Sequence, residues 1–217
     1  MKANHSIANQ LSLLGSFAET DQNQSGILAL PDAEVIIQHH FFHQNESDRI
    51  FSRLYQNVAW KQEKTFLYGK QVALPRLTAW YGDTGKNYKY SKIVMEPQPW
   101  LPILEYIKSK VEERCGEHFN SVLLNLYRDG RDSIAWHSDD EQELGNNPEI
   151  GSLSFGGTRS FRMRHKFQKG IKSNLQLTHG SLLIMRGETQ HYWQHQIPKT
   201  RKLTQPRINL TFRKILD

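Results

Sequence analysis

The chain is poor in cysteine, and that excludes two classes of protein at once. Cys115 is the only one in 217 residues, so no intramolecular disulfide and no cysteine-rich zinc site can form. Long apolar runs are missing too, and none approaches the length that spans a bilayer. The opening stretch, Met1 to Gln10, has no apolar core of the signal-peptide kind, so a cytoplasmic protein with no membrane partner is expected. No repeat, low-complexity tract or Gly/Ser linker divides the sequence, and at this length a single domain with a substantial core is expected. Acid is outnumbered: 28 Lys and Arg against 22 Asp and Glu give a net charge of +6, which favours a polyanionic partner, nucleic acid first. A merely basic soluble protein would show the same balance.

What is present begins with a polar arm over residues 1–25. An apolar stretch from Ala33 to Phe42 predicts a strand. A helix follows, capped by Asn45 or Ser47, with Ile50, Phe51, Leu54, Tyr55 and Val58 on one stripe. A second helix starts near Pro102, turns Ile103, Leu104, Ile107 and Val111 inward, and ends at Gly116. Beyond it the helical period gives way to short strands: Val122–Tyr127, Gly151–Phe155, Ser160–Arg164, Leu175–Leu177, Ser181–Met185 and Arg207–Phe212. Short strands in series predict a mainly β fold with flanking helices, a sandwich or a closed jelly roll. On this reading residues 26–217 are one domain, with a substrate-recognition extension over 26–118 and a β core over 119–217.

The most informative segment is Arg207-Ile208-Asn209-Leu210-Thr211-Phe212-Arg213. Strand alternation puts Arg207, Asn209, Thr211 and Arg213 on one face and the three apolar residues on the other. That polar face carries no acid, and a guanidinium fork matches a carboxylate, so a small anionic ligand is implied. Asn125 and Tyr127 share a strand face and add hydrogen-bonding groups of the same kind. Upstream, His137 and Asp139 stand two apart on an extended segment and can reach one ion. With His191 from farther along they make the two-histidine, one-carboxylate set of a facial iron(II) site. An isolated His-x-Asp is weak evidence; the arginine strand strengthens it.

Other histidines point elsewhere. His39, His40 and His43 sit in a strand-to-helix context that favours surface or packing roles, and His179-Gly180 reads as a turn. Tyr68-Gly69-Lys70 and Tyr88-Lys89-Tyr90 set aromatics beside a cation, a pattern for base stacking and phosphate contact, although amphipathic edge strands look the same. The basic run Arg162, Arg164, His165, Lys166, Lys169 and Lys172 is either a solvated face or a phosphate grip.

Taken in order, Pro75-Arg76 through Tyr81-Gly82-Asp83, Asn125-Leu126-Tyr127-Arg128-Asp129-Gly130, His137-Ser138-Asp139-Asp140-Glu141, Ser154-Phe155-Gly156, His179-Gly180-Ser181-Leu182-Leu183 and the arginine strand resemble the AlkB family of iron(II)- and 2-oxoglutarate-dependent dioxygenases. The likeness runs from about residue 28 to 215 and is strongest to the nucleic-acid repair branch. It implies a double-stranded β-helix and oxidative demethylation of N-alkylated bases such as 1-methyladenine and 3-methylcytosine. O2 and 2-oxoglutarate are consumed; succinate, CO2 and formaldehyde are released. It implies Fe(II) on His137, Asp139 and His191, and 2-oxoglutarate among Asn125, Tyr127, Arg207, Asn209, Thr211 and Arg213. Tyr68, Gly69, Lys70, Tyr88, Lys89, Tyr90 and Asp140 match positions around the flipped base. Asp140 or Glu141 would face a cationic lesion. The partner expected is methylated DNA or RNA, acted on by a monomer, cytoplasmic or nucleoid-associated if bacterial. Two rivals are an oxygenase of the same fold acting on a protein or small molecule, and a nucleic-acid-binding module with a vestigial metal site.

Overall fold

Among the described residues, fifteen strands and three α-helices are arranged so that the arginine strand lies inside, covered on both faces. The computed structural model describes residues 25–67, 69–86, 88–90, 93–202 and 204–216. Strands β1 (Gly26–Leu28) and β2 (Glu34–Gln38) precede helix α1 (Gln44–Asn57). Hairpin β3 (Lys64–Leu67) and β4 (Lys70–Ala73) leads into β5 (Leu77–Gly82). A second small hairpin, β6 (Tyr88–Tyr90) and β7 (Ile93–Met95), is followed by helix α2 (Pro102–Cys115). Then come β8 (Ser121–Tyr127), β9 (Ile134–His137), β10 (Ile150–Gly156), β11 (Arg159–His165), β12 (Lys172–Leu177) and β13 (Ser181–Arg186). The short helix α3 (Thr189–Tyr192) runs straight into β14 (Trp193–Ile197), and β15 (Arg207–Arg213) closes the fold.

Two antiparallel sheets form a jelly roll. The larger has the order β1-β2-β13-β10-β15-β8-β5, the smaller β12-β11-β14-β9. Alternation along β15 sorts its side chains between two environments. Ile208, Leu210 and Phe212 pack outward, into a cluster with Ile50 and Leu54 of α1 and Leu104, Ile107 and Val111 of α2. Each such side chain contributes roughly 1.5–3 kcal/mol on burial. The polar set points between the sheets. There a second apolar cluster joins Tyr127, Leu183 and Met185 of the large sheet to Phe161, Met163, Leu175, Trp193 and Ile197 of the small one.

Both expected helices form, with a different first cap. α1 starts after His43, which makes no side-chain cap, while the Ser47 hydroxyl donates to the Phe42 carbonyl at 3.1 Å. α2 begins on Pro102 and ends at Gly116, whose φ of 76° is left-handed. The strand expected across Ala33–Phe42 stops at Gln38, because His40 turns left-handed with φ 53°. Within the β core, strands β9 and β14 fall outside the expected set. The division at 118/119 does not separate two layers: β2 pairs with β13 and β5 with β8, so the extension supplies three strands of the large sheet. Pairings between residues so distant in sequence leave no local trace. The arm lies outside the described residues except for Ser25, whose hydroxyl accepts from the His39 N–H at 2.9 Å.

Gly156 ends β10 where the sheet meets α1. Its φ is +88°, and a Cβ there would stand 2.2 Å from the Pro206 carbonyl oxygen and 2.7 Å from a Phe51 ring carbon. Left-handed strain and backbone overlap together should make Gly156→Ala cost more than about 2 kcal/mol. A melting temperature lowered by ~5 °C or more is the expected reading, and an unchanged one would contradict the packing at this corner.

Candidate metal and co-substrate site

β9 and β14 pair antiparallel with His137 opposite His195. That register sets the two imidazoles 4.3 Å apart, centroid to centroid. Asp139 follows His137 by two residues and turns into the same space. One donor atom from each of His137, Asp139 and His195 lies within 4.8 Å of the others. Asp139 and His195 are buried and His137 is partly open, so the cluster faces outward on the His137 side.

The donors are held in the forms a metal requires. His137 Nδ1 lies 2.8 Å from the Ala135 carbonyl, which fixes a proton on Nδ1 and turns Nε2 toward Asp139, the ring nitrogen placed to meet a metal. His195 stacks on Phe161 at 5.1 Å and 25°. Burial, reinforced by His137 and opposed by Asp139, pushes the His195 imidazole down to about 3, so it is neutral. Burial alone would raise the Asp139 carboxyl, but the Arg213 guanidinium beside it outweighs that and holds it well below the usual range. Arg213 Nη2 donates to Asp139 Oδ2 at 2.9 Å, and the Gln190 side-chain oxygen accepts the Asp139 backbone N–H at 2.9 Å. Two imidazoles and one carboxylate, packed this closely, fit a divalent iron.

His191, expected as the third ligand, is not part of this cluster. It lies on α3, exposed, four residues before His195. The physical reason is periodicity. Trp193, His195 and Ile197 alternate inward along β14, with Gln194 and Gln196 between them, whereas the helical turn carries His191 out to solvent. The alternation was visible in Trp193-Gln194-His195-Gln196-Ile197 and is the signal that identifies His195.

Behind the cluster is a cavity with about 490 Å³ of empty space, mouth included, lined by Asn125, Tyr127, Ser152, Arg207, Asn209, Thr211 and Arg213 together with the three metal-type residues. Arg207 is 1% exposed. Its Nη2 donates to the Ser154 hydroxyl at 2.9 Å, and its guanidinium lies 5.1 Å over the Tyr127 ring. Nε and Nη1 are buried and make no hydrogen bond. Burial pushes the group down to about 10, so it stays cationic at neutral pH. A buried cation with two idle donors fits a carboxylate. Arg213, by contrast, has an acid partner that its own strand face does not show: Asp139, brought from another element. Asn209 and Thr211 line the cavity but spend their polar atoms on the floor. Asn209 Nδ2 donates to Ser152 Oγ and the Leu153 carbonyl, and Thr211 Oγ1 donates to Asn209 Oδ1.

A wider groove, with about 1410 Å³ of empty space, opens beside His137 between β4, Pro75, Arg76, Trp136, Pro198 and Lys199. The β3–β4 hairpin edges it. Gly69 makes the hairpin turn and Lys70 is exposed at its far side. Tyr68 lies outside the described residues, as do the side chains of Tyr88, Lys89 and Tyr90, whose backbone forms β6. Phe66, 74% exposed on the same hairpin, was not singled out in sequence. Asp140 is exposed and paired with Lys166 at 3.2 Å, and Lys166 also donates to the Gln190 carbonyl at 2.8 Å. Within the basic run Arg164 stacks 4.3 Å over Trp136, and His165 is buried 3.1 Å from Asp32. Arg162, Lys169 and Lys172 are exposed.

Comparison with known proteins agrees with this geometry. Residues 34–213 match the model of the 2OG-Fe(II) oxygenase superfamily. Alpha-ketoglutarate-dependent dioxygenase alkB homolog 3 of Mus musculus is 47% identical over 184 residues, covering 81% of this chain and 64% of that protein. DNA oxidative demethylase ALKBH2 of Homo sapiens is 42% identical over 185 residues, covering 81% of this chain and 71% of that protein. The match thus spans just under two thirds of the length of the alkB homolog 3 relative. Among solved structures, OsALKBH1 superposes with a TM-score of 0.63 at 16% identity, over 83% of this chain and 96% of that one, a likeness of fold.

Proposed function

Because the chain belongs to the 2OG-Fe(II) oxygenase superfamily, which uses Fe(II), 2-oxoglutarate and O2, we propose that it removes methyl groups oxidatively from N-alkylated bases of nucleic acid, DNA foremost, as in alkylation repair. The observation that carries this reading is the junction of a two-histidine, one-carboxylate cluster, a buried arginine with idle donors, and a groove at whose edge His137 stands. Iron(II) on His137, Asp139 and His195 would supply the oxidising chemistry that turns 2-oxoglutarate and O2 into succinate and CO2 and hydroxylates the N-methyl group, which leaves as formaldehyde.

The protein's own share is placement. Arg207 takes the far carboxylate of 2-oxoglutarate; Asn125 and Tyr127 flank it. Arg213 keeps Asp139 ionised and turned toward the metal position. Phe161, Ile197 and Leu177 wall the cavity against water. A base inside a duplex cannot reach the cavity, so the target nucleotide leaves the stack and enters by the groove, where the β3–β4 hairpin and Trp136 offer apolar surface and Lys199 a cation. The protein acts as a cytoplasmic monomer, with no membrane partner. Succinate release, measured with and without 1-methyladenine oligonucleotides of DNA and RNA, tests the reading. Stimulation by methylated but not unmethylated oligonucleotide is expected, and equal rates would favour a protein or small-molecule substrate.

Phosphate gripping falls to the exposed cations of the β11–β12 hairpin, because Lys166 is occupied by Asp140 and the Gln190 carbonyl. Lys169→Glu with Lys172→Glu should weaken oligonucleotide binding whatever the sequence and shrink the log–log salt slope by about 2. An unaltered slope would return this hairpin to the status of a solvated face.

A further inference from the structure

Arg76 is buried at the point where the β3–β4 hairpin rejoins the large sheet, and from the groove side it reaches Asn125, which lines the co-substrate cavity. Its Nε donates to Asn125 Oδ1 at 2.7 Å, and its Nη1 to the Ser133 carbonyl at 3.4 Å. Asn125 is itself buried on β8, between Thr78 of β5 and Asn209 of β15, and lines the cavity. An arginine has donors only, so the asparagine atom that faces it must be the oxygen. The amide is thereby locked one way round. With Oδ1 taken up by Arg76, Nδ2 is the amide group left to meet a ligand in the cavity that Asn125 lines.

We infer that Arg76 is a positioning residue for the co-substrate: by holding Asn125 Oδ1 it makes Asn125 present a hydrogen-bond donor, and only a donor, to a carboxylate or keto oxygen of 2-oxoglutarate. Without that hold the amide can turn, and the acceptor face it then offers repels the same oxygen. The backbone around Arg76 is pinned independently. Gln62 Nε2 donates to the Leu74 and Arg76 carbonyls, and the Ser133 N–H to the Pro75 carbonyl. Loss of the side chain therefore removes the lock and leaves the hairpin root tied. The inference rests on reading this cavity as the 2-oxoglutarate site.

Calorimetric titration of 2-oxoglutarate into the full chain loaded with Mn(II) in place of Fe(II) reads the effect without turnover. Arg76→Met should raise Kd about tenfold in the wild-type background and by less than about twofold in Asn125→Ala, since a lock on a missing amide has nothing to hold. Equal effects in both backgrounds, or none in the first, would overturn it. Should Arg76→Met not fold, Asn125→Asp serves instead. The carboxylate can still accept from Arg76 but offers no donor, so it should bind 2-oxoglutarate more weakly than Asn125→Ala does; wild-type affinity would again overturn the inference. A wild-type protein that binds no 2-oxoglutarate would defeat the reading of the cavity, whereas wild-type binding with an additive cycle would defeat only the role of Arg76.

Discussion

His195→Ala will abolish oxidation and lower iron affinity by more than about 100-fold, beyond the 10–100-fold typical of losing a group that merely supports a ligand. His191→Ala will leave both within about twofold, as surface substitutions generally do. The contrast follows from four residues of chain. His195 is inward on β14, stacked on Phe161 and opposite His137 in the sheet register, while His191 stands on the exposed side of a four-residue helix. Because His195 is already neutral at any working pH, the metal does not have to displace a proton from it. Fe(II) titration followed by the absorption band of the iron–2-oxoglutarate complex separates the two variants. A His195→Ala variant that behaves as wild type, together with a damaged His191→Ala, would reverse the assignment.

Arg207→Ala should be nearly as severe, but in a different measurement. Truncating one side of a buried charge pair costs about 2–5 kcal/mol, which corresponds to a roughly 30- to 5,000-fold weaker Kd for 2-oxoglutarate. Iron binding in the absence of co-substrate should hardly change, because Arg207 bonds to Ser154 and lies over Tyr127, while the ion pair to Asp139 comes from Arg213. Arg213→Ala should behave otherwise. Its ion pair with Asp139 is the reason that carboxyl stays charged, so its loss should weaken iron first and co-substrate second. If calorimetry returned the same profile for both arginines, their division of labour would be wrong.

These two outcomes also mark how far the sequence could be read. The β15 alternation was legible because both of its faces are buried in different company, one against α1 and α2 and one between the sheets. The helices were legible from their apolar stripes and from Pro102 and Gly116 at the ends of the second. The third metal donor was not found, although Trp193, His195 and Ile197 alternate, because His191 precedes them in a turn and a lone histidine carries no mark of its orientation. Nor could the acid partner of Arg213 be seen. Strand alternation describes one face of one strand, and Asp139 arrives there from the end of β9. Arg76 stood in a noted motif without a role, since only the pairing of β5 with β8 shows that the hairpin root lies over Asn125. The last two omissions are long-range pairings, the part of the fold that local periodicity does not encode, whereas His195 was marked by the alternation of its own strand.

The proposed joint action of this cluster and this cavity on methylated bases is tested most directly by the mass spectrum of a DNA oligonucleotide carrying one 1-methyladenine, taken after incubation with the protein, Fe(II), 2-oxoglutarate and air. The expected result is restoration of the unmethylated mass, with formaldehyde equal to the methyl groups lost, and no change with His195→Ala. An oligonucleotide left methylated while 2-oxoglutarate is converted to succinate would contradict the account.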